Sequence, residues 1–331
     1  EIAQCLVGSE MCIRDSNKEG FMETSDFYGT EKVSRILLKI APPVMLAQLI
    51  QALYNIVDSF FVGKYSETGL TALSIIYPVQ LLMIALGVGT GVGINTDMAY
   101  YLGIGKKKKA EEVAGTGTPL GLILWIIFAA VCYVTLPAYA GMSTDSPEVI
   151  RDVVAYGRIV CLFSIGLFTE GIWSKILQAE GDMRTPMIAQ IAGAVVNIIL
   201  DPLLIFGMLG MPEMGISGAA VATVSGQIVA ALIVMKKAWY RPPRRSCYSG
   251  YIKRIYQLGI PNIIMQSAYT LYILGLNLIL AGFSDQAVTA LGLYYKWQTF
   301  FFIPLGALQT CIVPVISYNL SLIHISEPTR H

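Results

Sequence analysis

In the apolar run "VVNIILDPLLIFG", Asn197 and Asp201 stand at i and i+4, so both leave a helix on one face. Pro202 follows directly and removes the hydrogen bond to the carbonyl four residues back, that of Ile198. A carboxylate, an amide and a loosened carbonyl on one face suit a small cation or a proton. The stretch "YNIVDSFFVG" supplies a second acid, Asp58, with Asn55 about one turn before it, and "AAVATVSGQ" supplies the hydroxyl of Thr223. An acidic side chain at the centre of a bilayer costs roughly 2.5–3.5 kcal/mol, which makes each one a functional candidate. The structural alternative has Asp58 snorkelling to the headgroups and Asp201 capping or pairing.

Other polar positions are less specific. Glu170, in "FTEGIWSKILQAEG", has Lys175 five residues on, which leaves open a structural pair, a site near an inner mouth or a transport role. Asp97, in "INTDMAYY", is divided between function and structure. Gly87, Gly89, Gly91 and Gly93 read as close helix packing. Their nucleotide-loop-like spacing lacks the strand that such a motif requires. Cys132, Cys161 and Cys311 fall in apolar runs, Cys247 in a basic loop, and Cys5 and Cys12 in the N-terminal stretch, so no disulfide or metal-ligand spacing emerges.

The elements that must carry these residues follow from composition. The chain is 55% hydrophobic and only 14% charged, with a mean hydropathy of +0.61. Soluble domains carry about a quarter of their residues as charges. A polytopic, all-α membrane protein is therefore expected. The net charge of +1 says nothing about partners, and there is no basic domain for a nucleic acid, so no nucleic-acid partner is expected. About 20 apolar residues cross a bilayer, which places eight spans at 36–62, 72–102, 117–139, 154–177, 185–209, 216–235, 255–283 and 287–319. Basic residues cluster before the first span (Lys32, Arg35), after the second (Lys106 to Lys109), after the fourth (Arg184) and after the sixth (Lys236 to Arg254). The Lys106 to Lys109 run itself reads as a topogenic loop. The intervening loops are acidic or neutral, so the N-terminus is expected in the cytoplasm. Asp58 and Asp201 then both fall in the outer half of the membrane, and Thr223 reaches a similar depth.

An internal repeat runs at a constant offset of 218 residues: Pro43 matches Pro261, Tyr54 matches Tyr272, and Thr71-Ala72-Leu73 matches Thr289-Ala290-Leu291. Tyr77, Gln80 and Tyr100 match Tyr295, Gln298 and Tyr318. Six spans separate the copies, an even number, so the repeat is parallel, about an axis along the membrane normal. The expected organisation is a six-span N-lobe at 22–235, a basic cytoplasmic linker at 236–254 with Pro242-Pro243, and the first two spans of a second lobe at 255–319.

The two ends read differently. One permitted set of codons for Cys5 to Ser16, taken as its reverse complement, encodes Leu320 to Arg330 and opens a His codon. One DNA element in opposite orientations thus accounts for both ends, and it resembles the adapter used in transposase-based sequencing libraries. Residues 1–21 and 320–331 are therefore expected to be foreign to the protein. About four further spans are expected to belong to the intact polypeptide. Both histidines, His324 and His331, fall in the discounted tail, which leaves neither a histidine proton relay nor a zinc site.

The stretches "QALYNIVDSFFVG", "YYLGIGKKKKAEEVAGTG", "KILQAEGDMRTPMIAQIAGAVVNIILDPLLIFG" and "GISGAAVATVSGQ" resemble the multidrug and toxic compound extrusion (MATE) family, in its bacterial multidrug/DNA-damage-inducible branch. The likeness covers residues 34–319. It implies twelve helices in two six-helix lobes, of which about eight are present here. It also implies a non-enzymatic antiporter working by alternating access, exporting amphipathic, often cationic organic compounds in exchange for protons or sodium. No cofactor beyond that coupling ion is implied. The partners are small organic substrates and the lipid bilayer, and the protein is a monomer in a bacterial inner (plasma) membrane. The family's N-lobe cation site maps onto Asp58, Asn197, Asp201 and Thr223, with Tyr54, Asn55, Glu170 and Gln266 as further polar or substrate-side positions. Some members carry an acid in the seventh helix where this chain has Gln266, so a second carboxylate site of that kind is not implied. Pro43 and Pro202 are the implied hinges. A lipid-linked-sugar flippase of the same superfamily would need a strongly cationic cavity, and the spans hold few Arg or Lys. An intramembrane aspartyl protease using Asp58 and Asp201 would lack its Gly-x-Gly-Asp motif and leave the repeat unexplained.

Overall fold

The computed structural model describes residues 31–144, 146–244, 247–281 and 285–326, with side chains described for only part of 274–299 and for none beyond 320. The head expected to be foreign, 1–21, lies outside the described residues, as do 327–331 of the tail. The described chain forms α1 (Val33–Tyr65), α2 (Glu67–Gly103), α3 (Lys107–Ser143), α4 (Pro147–Leu162), α5 (Ile165–Ala179), α6 (Arg184–Ile205), α7 (Ile216–Ala238), α8 (Tyr248–Ala281) and α9 (Asp285–Ser326). A 3-10 turn at Met208–Gly210 follows α6. Ser66 alone separates α1 from α2; its backbone is extended and its Oγ accepts from the Gly69 N–H at 3.2 Å, capping α2.

Among the described residues, Val33–Tyr65, Glu67–Gly103, Lys107–Ser143, Arg184–Ile205, Ile216–Ala238 and Phe300–Leu320 are long and apolar enough to cross a membrane, and α4 and α5, bent by 45° at the break between them, pass the same test only when taken together. The segment 154–177, expected as one span, is therefore two helices. Carbonyls loosened by a break at membrane depth must find donors. Here Trp125 Nε1 donates to Leu162 O (2.9 Å) and Ser164 Oγ donates to Cys161 O (2.7 Å). The seventh expected span falls on α8. Both α7 and α8 run into the expected linker, where 239–244 are irregular among the described residues. The lipid-facing side is plain on α3, where Ile123, Ile126, Ile127, Val131 and Val134 are all exposed at helical spacing.

The repeat is visible in the fold. α9 begins at Asp285, the position 218 residues after Glu67, where α2 begins. α2 packs on α8 and α1 packs on α9, two contacts that a two-fold axis relating the copies would exchange; α2 also packs on α9, a contact that maps onto itself. The four glycines of α2 serve two different neighbours. A Cβ on Gly87 would lie 3.4 Å from Phe168, and one on Gly91 2.8 Å from Lys175 Cγ, both on α5. A Cβ on Gly89 or Gly93 would instead strike Ile263 Cγ1 (2.3 Å) or Ile255 O (2.2 Å) on α8. Small residues at i and i+4 on two sides of α2 let both helices approach its backbone.

Among the described residues, the buried apolar side chains form two clusters. One, near the basic loops, includes Ile36, Ile94, Met98, Ile172, Ile255, Cys311 and Val315. The other includes Val62, Ile76, Phe128, Cys132, Tyr156, Cys161 and Ile205.

Candidate functional site

The site is built where α6 and α7 lie against each other. A Cβ on Gly226 would sit 2.5 Å from Gly193 O, and one on Gly218 would sit 2.5 Å from Leu204 O. Glycine thus sets the helix separation at two levels, with Asn197, Asp201 and Thr223 between them. Asn197 and Asp201 are buried on one face of α6. With the Asn197 amide turned to suit both neighbours, its Nδ2 donates to Asp201 Oδ2 (3.2 Å) and its Oδ1 accepts from the Thr223 N–H (3.2 Å). Asp201 Oδ1 has no hydrogen-bond partner among the described residues. A carboxylate oxygen left over in a buried site is a place for a proton or a cation.

Asp58 joins from α1. It is buried and close enough to Asp201 for the two charges to act on each other directly. The ends of α1 and α6 are clamped just beyond, where the Phe206 ring meets Phe61 (6.4 Å between centroids) and Tyr65 (5.9 Å), both edge-on. Gly207, at φ +67°, ends α6 immediately afterwards. Of the residues before Asp58, it is Tyr54 that shares the site: its hydroxyl is within electrostatic reach of Asp58, Glu170 and Asp201 and contacts Gln51. Asn55, expected on the Asp58 face, is instead exposed, and its carbonyl accepts from Ser59 Oγ at 2.8 Å. Four positions on a helix return to within about 40° of the start, whereas three leave about 60° on the other side, which separates Tyr54 from Asn55.

The bent span contributes a residue that sequence reasoning passed over. Tyr156 of α4 is fully buried; its hydroxyl accepts from Gln80 Nε2 of α2 at 3.3 Å and meets the Thr223 side chain, within electrostatic reach of Asp58. Nothing in "VVAYGRIV" marks it, because its partners lie on α1, α2 and α7. The glycines of "GISGAAVATVSGQ" were the available signal for the close α6–α7 crossing.

Glu170 and Lys175 do not pair with each other among the described residues. Glu170 Oε1 accepts from Ser174 Oγ (2.7 Å), and Lys175 Nζ donates to Gln178 Oε1 (2.9 Å). Five positions on a helix are roughly 140° apart around the axis, so the two side chains diverge. The carbonyl of Lys175 accepts from Asn95 Nδ2 (2.8 Å), tying α5 to α2. Gln266 donates from Nε2 to Asn262 Oδ1 (2.9 Å) on its own helix, α8, rather than to the cluster on α1, α6 and α7. Pro43 and Pro202 both lie inside continuous helices, α1 and α6.

A family model described as MatE matches residues 43–203, which includes Asp58, Asn197 and Asp201. A probable multidrug resistance protein, NorM, of Thermotoga maritima is 26% identical over 305 residues, covering 87% of this chain and 64% of the relative. A FAD transporter of Shewanella oneidensis is 25% identical over 301 residues, covering 87% and 65%. The multidrug export protein MepA of Staphylococcus aureus is 27% identical over 315 residues, covering 90% and 67%. The chain thus spans 64% and 65% of the first two relatives' lengths. Among solved structures, an outward-facing multidrug resistance MATE family transporter superposes with a TM-score of 0.80 at 23% identity over 88% of this chain and 66% of its own. A MOP superfamily transporter from Pyrococcus furiosus superposes at 0.78 and 24%, with the same coverage. At these identities the solved structures speak to the fold, and the family model and the relatives to descent. Over residues 43–203 this apolar multi-helix chain is similar to the MATE family, and it shares its fold with solved MATE transporters.

Proposed function

We propose that the chain is the first lobe and the start of the second lobe of a secondary active antiporter. It exports amphipathic, often cationic organic compounds in exchange for protons or sodium and performs no chemistry on its cargo. The observation that carries this reading is the Asp58–Asn197–Asp201–Thr223 cluster, with a buried carboxylate oxygen of Asp201 lacking a hydrogen-bond partner among the described residues. Relatives named as multidrug resistance and export proteins support the cargo class.

Burial disfavours the charged form of a carboxylate, and a neighbouring carboxylate adds repulsion. A proton relieves both penalties by neutralising one acid; a sodium ion relieves them by standing between two. The leftover Asp201 oxygen, the Asn197 carbonyl and the Thr223 hydroxyl are the oxygen donors such an ion needs. Arrival or loss of the ion changes the charge between α1 and α6, and Pro43 and Pro202 give those helices points at which to bend. Coupling then requires only that ion and cargo favour different states or compete for one lobe. Tyr54 and Glu170 face the cargo in this reading. The membrane is a bacterial plasma membrane, with the basic loops on the cytoplasmic side.

The test is dye efflux from vesicles containing a full-length relative, under separately imposed proton and sodium gradients. Asn in place of the acid equivalent to Asp201 is expected to abolish ion-driven efflux; efflux that continues unchanged would overturn the proposal.

A further inference from the structure

The ion pair between Asp97 and Arg254 lies far from the cation cluster along α2 and takes no part in it. Asp97 is fully buried, and its Oδ1 stands 2.5 Å from Arg254 Nε, whose side chain keeps 40% of its surface exposed. The guanidinium is stacked against two rings, 4.9 Å from the Tyr100 centroid and 5.0 Å from that of Tyr101. One helical face further out, Tyr251 Oη donates to Glu112 Oε2 at 2.5 Å. Both contacts join the first repeat (α2, α3) to the first helix of the second (α8), at the end that carries the basic loops.

The repeat provides an internal comparison. At the α2/α8 crossing the backbones touch through Gly89, Gly93 and Gly259: a Cβ on Gly259 would lie 2.6 Å from Gly89 O. The positions related to these by the 218-residue offset are Ala307, Cys311 and Ala41, all buried in the α1/α9 contact. The geometry is thus repeated with small residues on both sides. The chemistry is not: Asp97 corresponds to Val315, and Arg254 to Ile36, both buried and apolar.

We propose that Asp97 and Arg254 form a latch that closes the basic-loop end of the molecule at the α2/α8 crossing and so holds the two repeats together there, while the related α1/α9 crossing, with Ile36 and Val315 in the same places, has no charge pair to release and parts only when the latch does. The inference rests on the alternating-access reading above. A buried ion pair adds little net stability over an apolar pair of similar volume, yet loss of one partner strands the other charge. That combination suits a contact that must part and re-form. Neither Asp97 oxygen has a hydrogen-bond partner among the described residues, so Oδ1 is held by the ion pair alone and Oδ2 is unmet when the contact is closed. The exposed flank of Arg254 lets water follow the guanidinium as it leaves.

Cys311 reports on the parting of the repeats. It is buried in the cluster that holds Met98 and Ile255, whereas Cys132 and Cys161 are buried in the other cluster. The chain in inside-out membrane vesicles is exposed to a membrane-impermeant maleimide, and labelling of each cysteine is followed by peptide mass spectrometry. Arg254→Gln is expected to raise the Cys311 rate on the order of tenfold, since stranding a buried acid costs several times the 1.4 kcal/mol that this factor represents. The paired change Asp97→Val with Arg254→Ile copies the other crossing and is expected to lower the Cys311 rate below that of the parent. Cys132 and Cys161 should not move in either. The latch is overturned if both variants shift Cys311 in one direction, if neither shifts it, or if Cys132 and Cys161 change in parallel, as general loosening would make them. Proton and sodium gradients imposed on the parent separate the two ideas. Opposite shifts in the variants with no gradient response in the parent sink the alternating-access reading alone. A gradient response without opposite shifts sinks the latch alone.

Discussion

Gly193 and Gly226 face each other backbone to backbone: a Cβ on Gly193 would lie 2.7 Å from Gly226 O, and one on Gly226 would lie 2.5 Å from Gly193 O. The pair sets how near α7 comes to α6, and so whether Thr223 can meet Asn197. Gly226→Val is expected to push the helices apart, destabilising the protein by about 1–3 kcal/mol. Thermal unfolding in detergent checks this, with Gly250→Ala as the control, since a Cβ there meets nothing within 4 Å. An unshifted midpoint for Gly226→Val would show that the crossing has slack.

If Asp58 and Asp201 hold a cation, sodium or acidification should stabilise the parent protein. Ligand at a hundred times its dissociation constant is worth about 2.7 kcal/mol. Asp58→Asn and Asp201→Asn should each remove most of that ion-dependent gain. Asn55→Ala, on the exposed side of α1, should keep it and change the baseline by no more than about 0.5 kcal/mol. Melting curves with and without sodium, at two pH values, give the comparison.

Tyr156→Phe deletes the hydroxyl that accepts from Gln80 and meets Thr223. A lost hydrogen bond of this kind costs about 0.5–1.5 kcal/mol. Because Tyr156 orients Thr223 rather than Asp201, ion-dependent stabilisation should weaken without vanishing, which titration with sodium would resolve.

Trp125→Phe removes the donor that satisfies Leu162 O at the α4/α5 break. A carbonyl left unpaired at membrane depth, with no water to meet it, costs several kcal/mol. Amide exchange at 163–168 should quicken relative to α6, and hydrogen-exchange mass spectrometry would detect it.

The acids stood out in the sequence because a charge in an apolar run is conspicuous at any resolution of the argument. The shared face of Asn197 and Asp201 followed from helix periodicity alone, and the structure places both, buried, on one side of α6. Asn55 did not follow, since i to i+3 spacing left its side of α1 ambiguous and Tyr54 took the inward position. The break inside the span expected at 154–177 escaped for another reason: with its carbonyls met by Trp125 and Ser164, it leaves no mark in hydropathy.

The sequence by itself determined the membrane class, the repeat at 218 residues, and which residues carry unusual charge within helices. Each rests on composition, spacing or order along one chain. Only the tertiary structure decided that Tyr156 and Gln80 join the Asp58–Asp201 cluster, that Asp97 meets Arg254, and that Glu170 and Lys175 stand apart. Lipid tails are as apolar as a protein core, so a membrane helix need not show by hydrophobic period which face turns inward. Rotation and spacing of these helices are set instead by backbone contacts at glycines on different elements, which become neighbours only when the helices pack.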